Sequence, residues 1–212
     1  VAGGVRRSAL ISLSDLDDVE IRDAKKGQFF LTDPHRSVAN NSAVYESKPS
    51  NAELMDEWVA LMKSGTGERG IFNRGSLEKT MPERRQKLLH KKYGKKNGFI
   101  GQVGTNPCGE ILSQSREFCN LSEVIARAGD TEKSLLRKAK LATLVGTYQS
   151  TLTKFNYISK EWTENCEAER LLGVSITGQW DSPVVRDAKV MRKMRQVAIK
   201  TNANYAKRFG IN

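Results

Sequence analysis

Long apolar runs are missing from this chain. Nowhere do roughly 18 apolar residues follow one another, so no segment reads as a membrane-crossing helix. Cysteine is scarce, with only Cys108, Cys119 and Cys166 among 212 residues. An odd, sparse set argues against a secreted disulfide scaffold and for reduced thiols in a cytoplasmic setting. Histidine is scarcer still. Neither His35 nor His90 has the spacing to complete a zinc site with the cysteines, so no metal site is expected. Acid is short relative to base: 24 Asp and Glu against 35 Lys and Arg leave a formal charge of +11. That balance is compatible with anionic partners, either nucleotide phosphates or nucleic acid, but a solvated surface is the favoured account of it. Zinc-finger spacing and an aromatic-basic ribonucleoprotein signature are both missing, so no direct nucleic-acid contact is expected.

The N-terminal Val1-Ala2-Gly3-Gly4-Val5-Arg6-Arg7 has no apolar core and no cleavage pattern, and it does not read as a signal peptide. Without an initiator Met, and stopping on Phe209-Gly210-Ile211-Asn212, the chain is expected to be a cut-out or a split-gene product. Its length and apolar content suffice for a globular core.

Short apolar segments alternate with longer amphipathic ones. Residues 8–13, 36–46, 70–72 and 173–178 read as short strands. Helices are expected over 15–26 with Ser14 as cap, and over 51–64 with Ser50 or Asn51 as cap and a stripe of Leu54, Trp58, Leu61 and Met62. A further helix should run to Tyr93 behind a capping box at Thr80-Met81-Pro82-Glu83. Residues 131–155 should form a largely buried helix through Leu135, Leu136, Ala139, Leu141, Ala142, Leu144 and Val145. Residues 183–208 should form the last helix, stopped by Gly210. Residues 94–104 look linker-like, and 97–122 look like a loop. The alternation points to an α/β protein with a mainly parallel sheet or barrel.

The chemistry-bearing residues lie in Asn106-Pro107-Cys108-Gly109-Glu110-Ile111-Leu112 and Phe118-Cys119-Asn120-Leu121-Ser122-Glu123-Val124. A thiol sits two residues before a carboxylate and two after an amide, with a second thiol eleven residues on. If the segment is extended, Asn106, Cys108 and Glu110 share one face. Pro107 stiffens the approach, and Gly109 lets a backbone come close to a ligand. Spacing alone leaves open thiol–disulfide chemistry with Glu110 moving a proton, a zinc site short of ligands, and two buried structural thiols. Cys166 fits no motif and reads as structural.

Asn106-Pro107-Cys108-Gly109-Glu110 followed by Cys119-Asn120-Leu121 resembles the active-site loop of ribonucleotide reductase catalytic subunits. Three further stretches agree in order. Gly3-Gly4-Val5-Arg6-Arg7-Ser8-Ala9 resembles the family's specificity loop. Gly67-Glu68-Arg69-Gly70-Ile71 resembles its Gly-Glu-Pro-Gly-Ile segment, with Arg69 where the family has Pro. Leu171 to Gly178 resembles a later barrel strand. The short Cys108–Cys119 gap and the Phe-Cys-Asn-Leu-Ser-Glu-Val wording look like the adenosylcobalamin-dependent class. The iron-dependent enzymes carry a longer insert there, and the glycyl-radical enzymes lack the second cysteine.

The resemblance implies a fold: the middle portion of a ten-stranded α/β barrel, with a cysteine-bearing finger loop over 104–124 and the specificity loop over 3–9. It also implies roles. Cys108 would carry the thiyl radical, Glu110 would take the 3′-hydroxyl proton, Asn106 would hold the substrate hydroxyls, and Cys119 would be one of the two reducing thiols. Gly3, Gly4, Arg6 and Arg7 would relay the bound effector. Adenosylcobalamin, a dNTP or ATP effector and an external thioredoxin-like dithiol are the implied cofactors and reductant. The implied substrate is a ribonucleoside di- or triphosphate. The upstream partner of Cys119, the effector region, the downstream phosphate cradle and the C-terminal cysteine pair have no counterpart in these residues, so companion chains completing the barrel are expected. Two rival readings remain: a non-catalytic scaffold that keeps the fold, and a basic nucleic-acid-binding module.

Overall fold

The computed structural model describes residues 10–94 and 98–211, and these divide into two compact units that meet between Ser115 and Arg116. The division falls inside the 104–124 segment, so the two halves of the cysteine motif belong to different units.

The first unit is built on a parallel three-stranded sheet in the order β1 (Leu10–Ser14), β2 (Ala39–Tyr45), β3 (Gly70–Asn73). Leu10 pairs with Ala39, and Ser42 pairs with Gly70. Parallel neighbours need crossovers. The first contains α1 (Val19–Asp23), α2 (Phe29–Thr32) and a 3₁₀ turn at Pro34–Val38, and the second is α3 (Asn51–Ser64). The helix expected over 15–26 is shorter than the sequence suggested, and its cap is Asp18, which accepts from the Ile21 amide. Ser14 ends β1 instead, and its hydroxyl accepts from Arg69 at 3.3 Å.

Helix α3 begins as expected, with Ser50 and Glu53 forming a reciprocal capping box, and it stops at the left-handed Gly65. Its orientation is not the expected one. Leu54, Trp58 and Met62 are exposed, and the residue it buries is Glu57. The reason is Arg69, whose guanidinium makes two bonds to the Glu57 carboxylate, at 2.8 and 2.9 Å. The remaining guanidinium donors reach Asp15 O and Leu16 O at 3.1 and 3.0 Å. A buried arginine is tolerated only when paired and bonded in this way, and the pairing turns α3 so that its acid faces inward.

After β3 come α4 (Leu77–Thr80) and α5 (Glu83–Tyr93). The capping box expected at Thr80 does not form. Thr80 closes α4 and its hydroxyl donates back to Ser76 O, while Pro82 takes the cap position of α5. Leu77, Met81, Leu89, Phe99 and Val103 make a core here. Phe99, in the stretch that looked like a linker, is fully buried and stacks edge-on against His90. The unit closes with an antiparallel hairpin, β4 (Val103–Thr105) and β5 (Leu112–Gln114), within the span expected to be loop.

The second unit pairs β6 (Asn120–Ile125) in parallel with β7 (Leu172–Thr177). Between them run α6 (Glu132–Gln149) and α7 (Lys160–Glu169), and α8 (Ala188–Phe209) follows. Helix α7 was not legible as a helix from its sequence. Its burial of Asn165, Cys166 and Glu169 follows no apolar stripe. Helix α6 packs between the strand pair and α8 and buries Leu135, Ala139, Thr143, Gly146 and Thr147, with Leu141 and Val145 exposed rather than buried. Gly146 makes the close approach possible, since a Cβ there would stand 2.4 Å from Leu172 Cδ1. Val124, Leu135, Ala139, Val185, Val190 and Met194 form this unit's core. Helix α8 starts on Asp187 and ends, as expected, on the left-handed Gly210.

Both units are mixed α/β with parallel pairing dominant. The described residues form sheets of three, two and two strands and close no barrel. No described helix is long and apolar enough to cross a membrane.

Candidate functional site

The Asn106–Ile111 loop joins β4 to β5. Its first four residues form a β-turn closed by the Gly109 amide on Asn106 O at 2.9 Å. The residue types fit the positions: Asn at the first corner, Pro at the second with its φ already set, and Gly at the fourth. Gly109 has φ +81°, a left-handed conformation that side chains resist. The base of the loop is tied by Asn106 N to Ile111 O at 3.2 Å and by Ile111 N to Asn106 Oδ1 at 3.2 Å. Thr105 Oγ1 adds a bond to Ile111 O at 3.1 Å. Asn40, from β2, donates its side-chain amide to Pro107 O and anchors the turn to the sheet of the same unit.

This is a turn rather than the extended run in which Asn106, Cys108 and Glu110 would alternate onto one face. The Asn106 carbonyl oxygen is spent on the loop's own backbone. Cys108 and Glu110 are exposed at the tip. An open cavity of about 410 Å³ lies beside the turn, lined by Cys108, Gly109, Pro107, Asn40, Ser42 and Glu68 among others. The cavity thus brings together Cys108 and the Glu68-Gly70 stretch, two of the motifs read in sequence. Asn106 and Glu110 do not line it.

Glu68 is held in place by buried partners. Its Oε1 pairs with Lys25 Nζ at 2.6 Å, and its Oε2 accepts from the Asn41 amide at 2.9 Å. Lys25, itself buried, also donates to Ala39 O. This lysine–glutamate–backbone cluster fixes part of the wall of the cavity that Cys108 also lines, and sequence reasoning missed it. The only signal was Lys25 beside Lys26 at the end of a helix-like stretch, which reads as surface.

Cys119 belongs to the second unit, half-buried just before β6. Asn120, next to it, donates both its amide and its side chain to Leu171 O, at 2.8 and 3.2 Å. Cys166 is buried on α7, and burial pushes its thiol above the ordinary range. All three cysteines are thiols. Gly3, Gly4, Arg6 and Arg7 lie outside the described residues. Among the described residues, no three or more His, Cys, Asp or Glu side chains gather as a metal site would require.

Among curated proteins, the chain is 32% identical over 187 residues to an adenosylcobalamin-dependent ribonucleoside-triphosphate reductase of Lactobacillus delbrueckii subsp. bulgaricus. A reductase of the same name from Lacticaseibacillus paracasei is 31% identical over 183 residues, and one from Levilactobacillus brevis 30% over 182. This chain is homologous to the adenosylcobalamin-dependent ribonucleoside-triphosphate reductases. Each match takes in 85% of the chain, which spans only about 23% of the reductases' own length. No protein-family model matches the chain, and no solved structure matches it. The homology to these reductases implies their fold for the chain, although the described sheets do not themselves close a barrel.

Proposed function

We propose that this chain supplies the radical-cysteine loop of an adenosylcobalamin-dependent ribonucleotide reductase. The observation that carries the reading is the Asn106–Glu110 turn, which presents Cys108 at the rim of a walled cavity in a chain related to reductases. A thiol exposed at a tight, anchored turn is accessible to a radical source and held at one position.

In this reading Cys108 carries the thiyl radical and removes the ribose 3′-hydrogen. Glu110, on the same turn, takes the 3′-hydroxyl proton. Asn106 uses its carbonyl oxygen to shape the loop and its amide nitrogen to hold a substrate hydroxyl. Cys119 is one of the two thiols that deliver electrons as the 2′-hydroxyl leaves as water. Adenosylcobalamin, named in the relatives' descriptions, supplies the radical when bound. The described residues offer no recognisable cradle for it. The substrate is a ribonucleoside triphosphate, with dNTP or ATP as effector read through Gly3, Gly4, Arg6 and Arg7. Companion polypeptide completes the barrel, and an external thioredoxin-like dithiol restores the thiols. The setting is the cytoplasm.

The test is deoxyribonucleotide formation by this chain together with the polypeptide that supplies the rest of the relatives' length, given adenosylcobalamin, a dithiol and a ribonucleoside triphosphate. Product is the expected result. A well-folded assembly that makes none with any radical source favours the scaffold. Tight, steeply salt-dependent DNA binding by such an inactive assembly favours the nucleic-acid module.

A further inference from the structure

The four residues that lead into β6 are held from one side by α7. Arg116 stands in the left-handed region at φ +57°, its carbonyl accepts from Asn165 Nδ2 at 3.2 Å, and its guanidinium meets Glu161 at 2.9 Å. The Phe118 ring packs against Phe155 at 5.2 Å and over Trp162 at 6.5 Å. The Phe118 amide donates to the thiol sulfur of Cys166. On the other side of Cys119, the Asn120 amide is fixed on Leu171 O. Cys119 therefore sits between two pinned amides. Glu161, Trp162, Asn165 and Cys166, which do the pinning from α7, recur at the three- and four-residue spacing of one helix face.

We propose that α7 is the positioning element of Cys119, with Asn165 and Cys166 as the residues that fix the backbone on which its thiol is carried. The inference rests on the reading of Cys119 as a reducing thiol, and it adds a role for the cysteine that matches no motif. Cys166 is suited to that role and not to exchange. It is 5% exposed, and burial keeps it a protonated thiol, the unreactive form, while its sulfur still accepts a backbone N–H. A left-handed, non-glycine Arg116 needs surroundings that enforce it, and the Asn165 bond and the Glu161 pair are such surroundings.

The experiment is the rate of Cys119 alkylation by iodoacetamide across pH, read by peptide mass on the full chain in a Cys108→Ser background. Cys166→Ala removes the acceptor for the Phe118 amide. Losing one such bond loosens the segment enough to speed alkylation by roughly fivefold. Cys166→Ser keeps an acceptor and returns the rate to within about twofold of the parent, as hydrogen bonding and not mere space-filling requires. Asn165→Ala shifts the rate in the same direction by its own route. Unchanged Cys119 rates in both Cys166→Ala and Asn165→Ala overturn the proposal, and so does a Cys166→Ser variant as fast as Cys166→Ala. Because alkylation needs no turnover, failure of the clamp and failure of the reductase reading are separate results. A clamp without any reductase activity leaves α7 as the holder of Cys119 and removes the catalytic role.

Discussion

Arg69 and Glu57 face each other through two parallel bonds of 2.8 and 2.9 Å, with the arginine side chain wholly enclosed. Arg69 stands where the resembled family motif has proline, and Glu57 answers it from the inner face of a helix whose apolar residues look outward. Removing one partner strands a buried charge. Glu57→Ala should cost about 3–5 kcal/mol in chemical denaturation, whereas replacing both with Leu and Met should cost far less. A Glu57→Ala variant as stable as the parent would contradict the structural role assigned to the pair.

Gly109 holds φ +81° with open space where a Cβ would stand. Gly109→Ala therefore pays only backbone strain, roughly 1–2 kcal/mol. Because the strain falls on the turn that carries Cys108, radical-dependent turnover should fall more than global stability does. Parallel melting and activity measurements check this, and equal proportional losses would argue against it.

Asn106 accepts from the Ile111 amide, and an aspartate carboxylate can do the same. Asn106→Asp should keep the loop, while Asn106→Ala should lose about 1 kcal/mol. Both variants lack the amide donor, so both should lose turnover if that donor holds the substrate. An active Asn106→Asp enzyme would confine Asn106 to building the loop.

Asp130 accepts from Lys138 at 2.6 Å, from Ser134 at 2.7 Å and from the Arg127 amide at 2.8 Å, and these bonds, Lys138 first, hold its carboxyl down at about 2 from an ordinary 3.8. A lowered folded-state pKa stabilises above the unfolded value, and that contribution fades as pH falls from about 4 through about 2. A carboxyl-detected titration should place the Asp130 midpoint near 2, and Lys138→Ala should raise it toward that of an ordinary aspartate. An unchanged midpoint in the variant would show that Lys138 is not the cause.

Much of this was legible in the residues themselves. Ser50 as a cap and Gly210 as a stop mark helix ends by chemistry that acts locally, and the structure uses both. The short strands at 10–14, 39–45, 70–73 and 172–177 were visible as apolar runs between turn residues. What was not legible depends on partners distant in sequence. Leu54, Trp58 and Met62 made an inward stripe on paper, and Arg69 turned that face out. Helix α7 buries an asparagine, a cysteine and a glutamate, types that give no periodic signal. Within the site, Asn106, Cys108 and Glu110 were found by motif, but their assumed alternation failed because Asn-Pro-x-Gly is turn chemistry before it is strand. The pairing of Lys25 with Glu68 went unnoticed because a buried ion pair looks in sequence like two surface charges.

The most direct test of the central claim is turnover of a 3′-deuterated ribonucleoside triphosphate by the completed reductase, comparing the parent chain with Cys108→Ala. The exposed position of Cys108 means the variant should fold as the parent does. The account predicts deoxynucleotide formation with a hydrogen isotope effect for the parent and none above background for Cys108→Ala. Deoxynucleotide formed by Cys108→Ala at the parent's rate would contradict it.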